Sequence, residues 1–136
     1  MSRQVRGQSM VELALCAPIL MLLALGGAAA VQVAEANAGL AAATQAAAAA
    51  AVRAPDPATA QYDAEQRFES MIGGYPLRSA VLHVALGGFG RTDQVVATAS
   101  GSVDIAWAAF FLPGRVALKS AAVVHLEPWR SRRAPP

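Results

Sequence analysis

Glu12 stands at the threshold of a long apolar run, in "RGQSMVELALCAPILMLLAL", where leucine would be the expected residue. A carboxylate carried into hydrocarbon costs about 2.5–3.5 kcal/mol on insertion scales, so something must offset that cost. Few other residues have the type and spacing for chemistry. His83, His125, Asp104 and Ser102 could in principle meet across strands, but there is no nucleophile elbow, metal-spaced pair or phosphate loop. Polar residues on the solvent face of half-exposed strands account for all four. "GGFG" needs to be no more than a turn. Cys16 is the only cysteine, so an internal disulfide and a thiolate metal site are both excluded, and it reads as apolar filler. No catalytic residue, metal ligand or cofactor is expected.

The elements that must hold Glu12 follow from the hydropathy. Between Glu12 and Glu35 lie 22 uncharged residues, enough to cross a hydrocarbon core of about 30 Å at 1.5 Å per residue. A transmembrane helix is expected, with Pro18 loosening or kinking its first turns because it lacks an N–H and crowds the carbonyl four residues back. Strong helix formers continue to Arg53, and "APDPA" then stops the helix. A rod from Gln8 to Arg53 is about 70 Å long, twice the membrane thickness, so half of it lies outside the bilayer. Alanine at nearly every outer position points to a helix packed closely on neighbours, with compositional drift as the plainer alternative.

Beyond the two prolines, "TAQYDAEQRFESMIGG" reads as a short amphipathic helix carrying Tyr62, Phe68, Met71 and Ile72, with a glycine cap at Gly73 and Gly74. The period then changes to two. Leu82, Val84 and Leu86 alternate with Val81, His83 and Ala85. Val103, Ile105 and Trp107 alternate with Asp104 and Ala106, and Gly101 marks a bulge or bend. Finally Leu118, Ala122, Val124 and Leu126 oppose Lys119, His125 and Glu127. The expected class is α+β: a long N-terminal transmembrane helix continuing as a spine, a short second helix, and a small antiparallel sheet of about three strands packed on the spine.

Charge narrows the partners. The chain carries eleven Lys+Arg against nine Asp+Glu, but Arg3 and Arg6 precede Gly7, so the part after Gly7 has nine of each and no net charge. A basic nucleic-acid surface is therefore not expected. Arg130, Arg132 and Arg133 belong to a Pro-flanked solvated tail over 130–136. Arg3 and Arg6 place the N-terminus in the cytoplasm by the positive-inside tendency, with the folded part outside. Phe110, Phe111 and Leu112 form an apolar knot that covers the end of the core beside Trp107, makes a subunit contact or dips into headgroups, and Trp129 beside Arg130 offers a second interfacial ring.

A short basic leader, a glycine, four residues and then a glutamate heading a hydrophobic helix resembles the precursors of type IV pilin-like proteins. With a proline a turn after the glutamate, the form here resembles the TadE-like pseudopilins and minor pilins of the tight-adherence (Flp) pilus machinery. "FFLPGRVALKSAAVVHLEPW" is similar to the closing segment of that family. The likeness covers the first thirty residues and, loosely, the last twenty; Leu13 stands where members often carry an aromatic residue.

The resemblance implies a cytoplasmic leader over 1–7, cut between Gly7 and Gln8 by a prepilin peptidase, then a transmembrane helix with its extension over 8–53 and a small pilin-like domain over 54–129. It implies a single-pass protein of the inner membrane, or of the extracellular pilus after assembly. Its partners would be the peptidase, other pilin or pseudopilin subunits, the inner-membrane assembly platform and the lipid bilayer. Glu12 and Pro18 would be the assembly residues. The new amine of Gln8 in one subunit would pair with Glu12 in the next, fixing the axial register of the two helices. Two other readings compete. One is a secretory signal peptide with Leu13 to Leu25 as its apolar core and "GGAAAVQV" as its cleavage site near Ala30. The other is a plain signal anchor whose Glu12 is merely interfacial.

Overall fold

A computed structural model of the chain describes residues 2–88, 93–108 and 114–126. In order these form helix α1 (Ser2–Arg53), helix α2 (Pro57–Ile72), strands β1 (Arg78–Ala85) and β2 (Gln94–Asp104), a 3-10 turn (Ala106–Ala108) and strand β3 (Arg115–His125). The class is α+β, as the change of period from helix to strand implies. One apolar helix runs into a domain made of a second short helix and a three-stranded antiparallel sheet packed against it.

Helix α1 is 52 residues long, about 80 Å, and already helical at Ser2 rather than beginning at Gln8. Its alanine-rich half ends where the chain meets Pro55 and Pro57. Arg53 occupies the last turn, where a cation suits the negative end of the helix dipole. Three residues later Asp56 caps α2. Its Oδ1 accepts from the Thr59 N–H at 2.9 Å and its Oδ2 from the Thr59 hydroxyl at 2.8 Å. Those bonds hold the Asp56 carboxyl below the usual carboxylate range. Pro57 takes the first helical position, where its missing N–H costs nothing.

The short connection folds α2 back beside α1. Ala60, Ala64 and Phe68, spaced four apart, are the buried face of α2. Met71 and Ile72 are partly buried against the same core. Tyr62, expected on the apolar face, is instead 63% exposed, because alanine rather than the aromatic ring fits between the closely packed helices. The expected glycine cap is Gly73, with a right-handed backbone (φ −60°, ψ −19°), and the chain turns by a Tyr75 N–H bond to the Ile72 carbonyl at 3.1 Å.

The sheet is a meander in the order β1-β2-β3. β2 and β3 pair without interruption from Gln94 with His125 to Asp104 with Arg115. β1 is irregular between Arg78 and Val81, where Ser79 and Ala80 together face Gly101. The expected bulge thus lies in β1, opposite Gly101, and Ser79 takes the positive φ of +53°. A β-carbon on Gly101 would stand 3.3 Å from Leu77 Cδ2, so the glycine makes room for the bulge.

Alternation is as expected for the strands. Leu82, Val84, Leu86, Leu118, Ala122, Val124 and Leu126 turn inward, while Val81, His83, Ala85, Lys119 and His125 are exposed. Trp107 departs from that pattern. The strand stops at Asp104, whose Oδ1 accepts from the Ala106 N–H at 2.9 Å, and the Ala108 N–H bonds the Ile105 carbonyl at 2.8 Å. This 3-10 turn rotates Trp107 out of the inward row and leaves it 49% exposed.

The core lies between these layers. Ala36, Leu40, Ala43, Ala47 and Ala51 of α1 pack with Ala60, Ala64 and Phe68 of α2 and with Val95, Val103, Ile105 and Leu118 from the sheet side. Thr44, fully buried, donates its hydroxyl to the Leu40 carbonyl at 2.6 Å and so leaves no unsatisfied polar atom. One face of the alanine run of α1, Ala36, Ala43, Ala47 and Ala51, is therefore approached closely by neighbours, and those neighbours belong to the same chain.

Candidate functional site

The two halves of α1 have opposite surroundings. From Gly7 to Ala28 every residue is exposed except a partly covered Leu25; from Ala29 onward buried positions recur along the helix. Met10, Leu13, Leu15, Ile19, Leu20 and Leu23 are each more than half exposed. Within the most apolar 18-residue stretch only 6% of positions are buried, which separates this helix from the core helix of a water-soluble domain. Its length and composition suffice to cross a membrane.

Glu12 lies on this exposed half, five residues after Gly7. A β-carbon built on Gly7 meets nothing within 4 Å, and the same is true of Gly26 and Gly27. Glycine inside a helix costs about 1 kcal/mol relative to alanine, and among the described residues no contact requires it at these three positions. Pro18 sits inside the helix. Its ring deprives the Ala14 carbonyl of a partner, yet α1 continues across it as one helix. Cys16 is free and exposed on the same half.

The polar residues weighed for catalysis are not brought together. His83 is opposite Thr98, His125 opposite Gln94 and Asp104 opposite Arg115. Thr98 and Asp104 are six residues apart on β2, about 20 Å. Ser102 donates to the Arg78 carbonyl at 3.2 Å, a bond that ties the two strands beside the bulge. Among the described residues no group of His, Cys, Asp and Glu is arranged to hold a metal. The groove between Ala42, Ala46 and Ala49 of α1 and Ala121 to Val124 of β3 is open and lined mainly by small side chains.

Two contacts that residue patterns did not disclose join the head to the spine. The Tyr75 ring lies directly over Gly39, where any β-carbon would overlap it. Trp107 Nε1 donates to Gln32 Oε1 at 3.2 Å. The usable signal for the second was Gln32 itself, the first polar side chain after the apolar run. The knot of Phe110, Phe111 and Leu112, Glu127, Trp129, the 130–136 tail, and Phe89 and Gly90 of "GGFG" lie outside the described residues, as do the side chains of Arg3 and Arg6. Compared with protein-family models, curated proteins and solved structures, the chain has no match.

Proposed function

We propose that this chain is a pseudopilin or minor pilin of a tight-adherence type pilus. It is made as a precursor, cut after Gly7 by a prepilin peptidase, and assembled through its N-terminal helix without catalysis of its own. The observation that carries this reading is the bare apolar half of α1, which bears Glu12 five residues after Gly7 and, from Gly7 to Ala24, is exposed at every position. A helix of this kind has lipid and other helices as its natural partners. The open space at Gly7 supports the same reading, since the lack of a side chain there serves an outside partner better than the fold itself. In the assembled state Glu12 meets the amine of a neighbouring Gln8, and each charge removes the other's cost.

The mass of the mature N-terminus tests the proposal. Chain recovered from the native membrane starts at Gln8, and Gly7→Val leaves the longer precursor in place. Because that position is open, the substitution blocks cleavage without disturbing the fold. Glu12→Leu retains cleavage and insertion and loses incorporation into the filament. A start at Met1 or Ser2 in the native protein rejects processing and leaves a plain anchor.

A second reading draws on the onset of burial at Ala29. A signal peptidase cutting near Ala30 would release a head that keeps the packed half of α1 apart from Ala29. A start near Val31, with the protein free in the medium, is its signature.

A further inference from the structure

Counting along α1 sets a depth scale. Glu12 and Gln32 are twenty residues apart, which at 1.5 Å per residue is about 30 Å, the thickness of a hydrocarbon core. No charged or strongly polar side chain lies between them, and the next charge, Glu35, comes one turn later. With Glu12 at one boundary of the hydrocarbon, Gln32 stands at the other. The head is tied to the helix at this level by the bond from Trp107 Nε1 to Gln32 Oε1 at 3.2 Å. Ala29, three residues nearer the apolar half, is also buried, and the other contacts of the spine, from the Tyr75 ring on Gly39 to the packed face at Leu40, Ala43 and Ala47, lie further out.

Trp107 keeps half its surface exposed, so its ring has apolar area free for a second phase. At the headgroup level the apolar body of the ring meets acyl chains while the N–H keeps a polar partner, and tryptophan is enriched there for that reason. We infer that Trp107 is an interfacial anchor: its indole lies in the headgroup layer of the outer membrane surface, held at that depth by Gln32, and seats the head on the bilayer. The inference rests on α1 crossing a membrane, as in the proposed function, and on nothing about cleavage or assembly.

The chain has two tryptophans, so Trp129→Phe makes Trp107 the only one without altering a described residue. In the full chain reconstituted into phosphatidylcholine vesicles, Trp107 fluorescence is quenched severalfold more by a nitroxide just below the headgroup than by one at the chain end, and is shielded from iodide. Gln32→Ala frees the ring and raises iodide quenching severalfold. Iodide quenching equal to that of free tryptophan in the parent would show a head standing clear of the membrane and overturn the inference. Resistance to both lipid labels and iodide would overturn it too, by showing a ring covered by protein such as a second copy. Flotation separates the two levels. Chain that floats with the vesicles but has a water-quenched Trp107 defeats only the anchor, whereas chain that does not float defeats the membrane-spanning reading beneath it.

Discussion

The inner and outer halves of α1 share one continuous helix, yet they are built from different residues. From Met10 to Leu23 the large side chains are mainly leucine, isoleucine and methionine, all exposed; from Ala36 to Ala51 the helix is mostly alanine, and the positions facing the domain are wholly buried. The difference teaches what each surface meets. In the proposed function the bare half meets lipid chains, which are fluid and accommodate large side chains at no packing cost, so bulk there maximises apolar contact. A helix lying between a sheet and a second helix has fixed neighbours on both sides, and only small residues let backbones approach closely. Large core residues are then few, and Leu40 is the largest fully buried side chain.

Truncating one leucine in each half gives the largest test of that contrast. Leu40→Ala opens a cavity among atoms that cannot collapse and lowers the unfolding free energy of the head by about 2–5 kcal/mol. Leu20, 62% exposed, gives a change within about 0.5 kcal/mol when made alanine. Chemical denaturation in detergent, followed by Trp107 fluorescence in the Trp129→Phe background, measures both. Equal losses would mean that the bare half folds onto something in the head and that the division at Ala29 is wrong.

Glycine offers a sharper version. Gly7, Gly26 and Gly27 have open space around them, whereas Gly39 lies under the Tyr75 ring. Gly39→Ala therefore costs about 1–3 kcal/mol through overpacking, outweighing the gain in helix propensity. Gly26→Ala raises helix propensity and leaves the head unchanged. In a double-mutant cycle, Tyr75→Ala removes the clash and recovers most of the Gly39→Ala loss. Additive losses in that cycle would show that the ring is not what excludes a side chain at Gly39.

How far the fold could be read from residues alone follows the same division. The apolar run, the alanine run and the alternation of the strands were legible because each is a local periodicity set by one neighbouring phase. What stayed hidden depends on a single contact between distant residues. Trp107 continues the alternation of Val103 and Ile105 on paper, but the side chain of Asp104 captures the Ala106 N–H and ends the strand first. Tyr62 looked like the buried face of α2 because aromatic residues outrank alanine in hydropathy, while close helix packing selects Ala60 and Ala64. Gly101 pointed to a bulge, but the residue that takes the left-handed backbone is Ser79, a serine with nothing in its type to announce it. For the proposed site, Gly7, Gln8, Glu12 and Pro18 were legible as a spacing, and the exposure of that half of the helix adds the surroundings in which the spacing has to operate.

The smallest expected effect concerns pH and reaches only the outer half of α1. The Asp56 carboxylate starts α2 through its bonds from Thr59, and its acidity is greater in the folded chain than in the unfolded one. A carboxyl whose folded value is depressed contributes stability that is complete above its unfolded value, about 3.9, and fades as pH falls through the folded one. Thermal unfolding of the head should thus lose a little ground below about pH 4, and Asp56→Asn, which keeps a capping oxygen, should remove that one component of the pH dependence. The bare half of α1 touches neither α2 nor its cap, so its helicity in detergent should be the same for both proteins at every pH in this range. If Asp56→Asn shows the same acid sensitivity as the parent, the cap is not among the groups that respond. If instead the helicity of the bare half changes with the cap, the two halves of α1 are coupled, and the separation between a lipid-facing rod and a protein-facing spine does not hold.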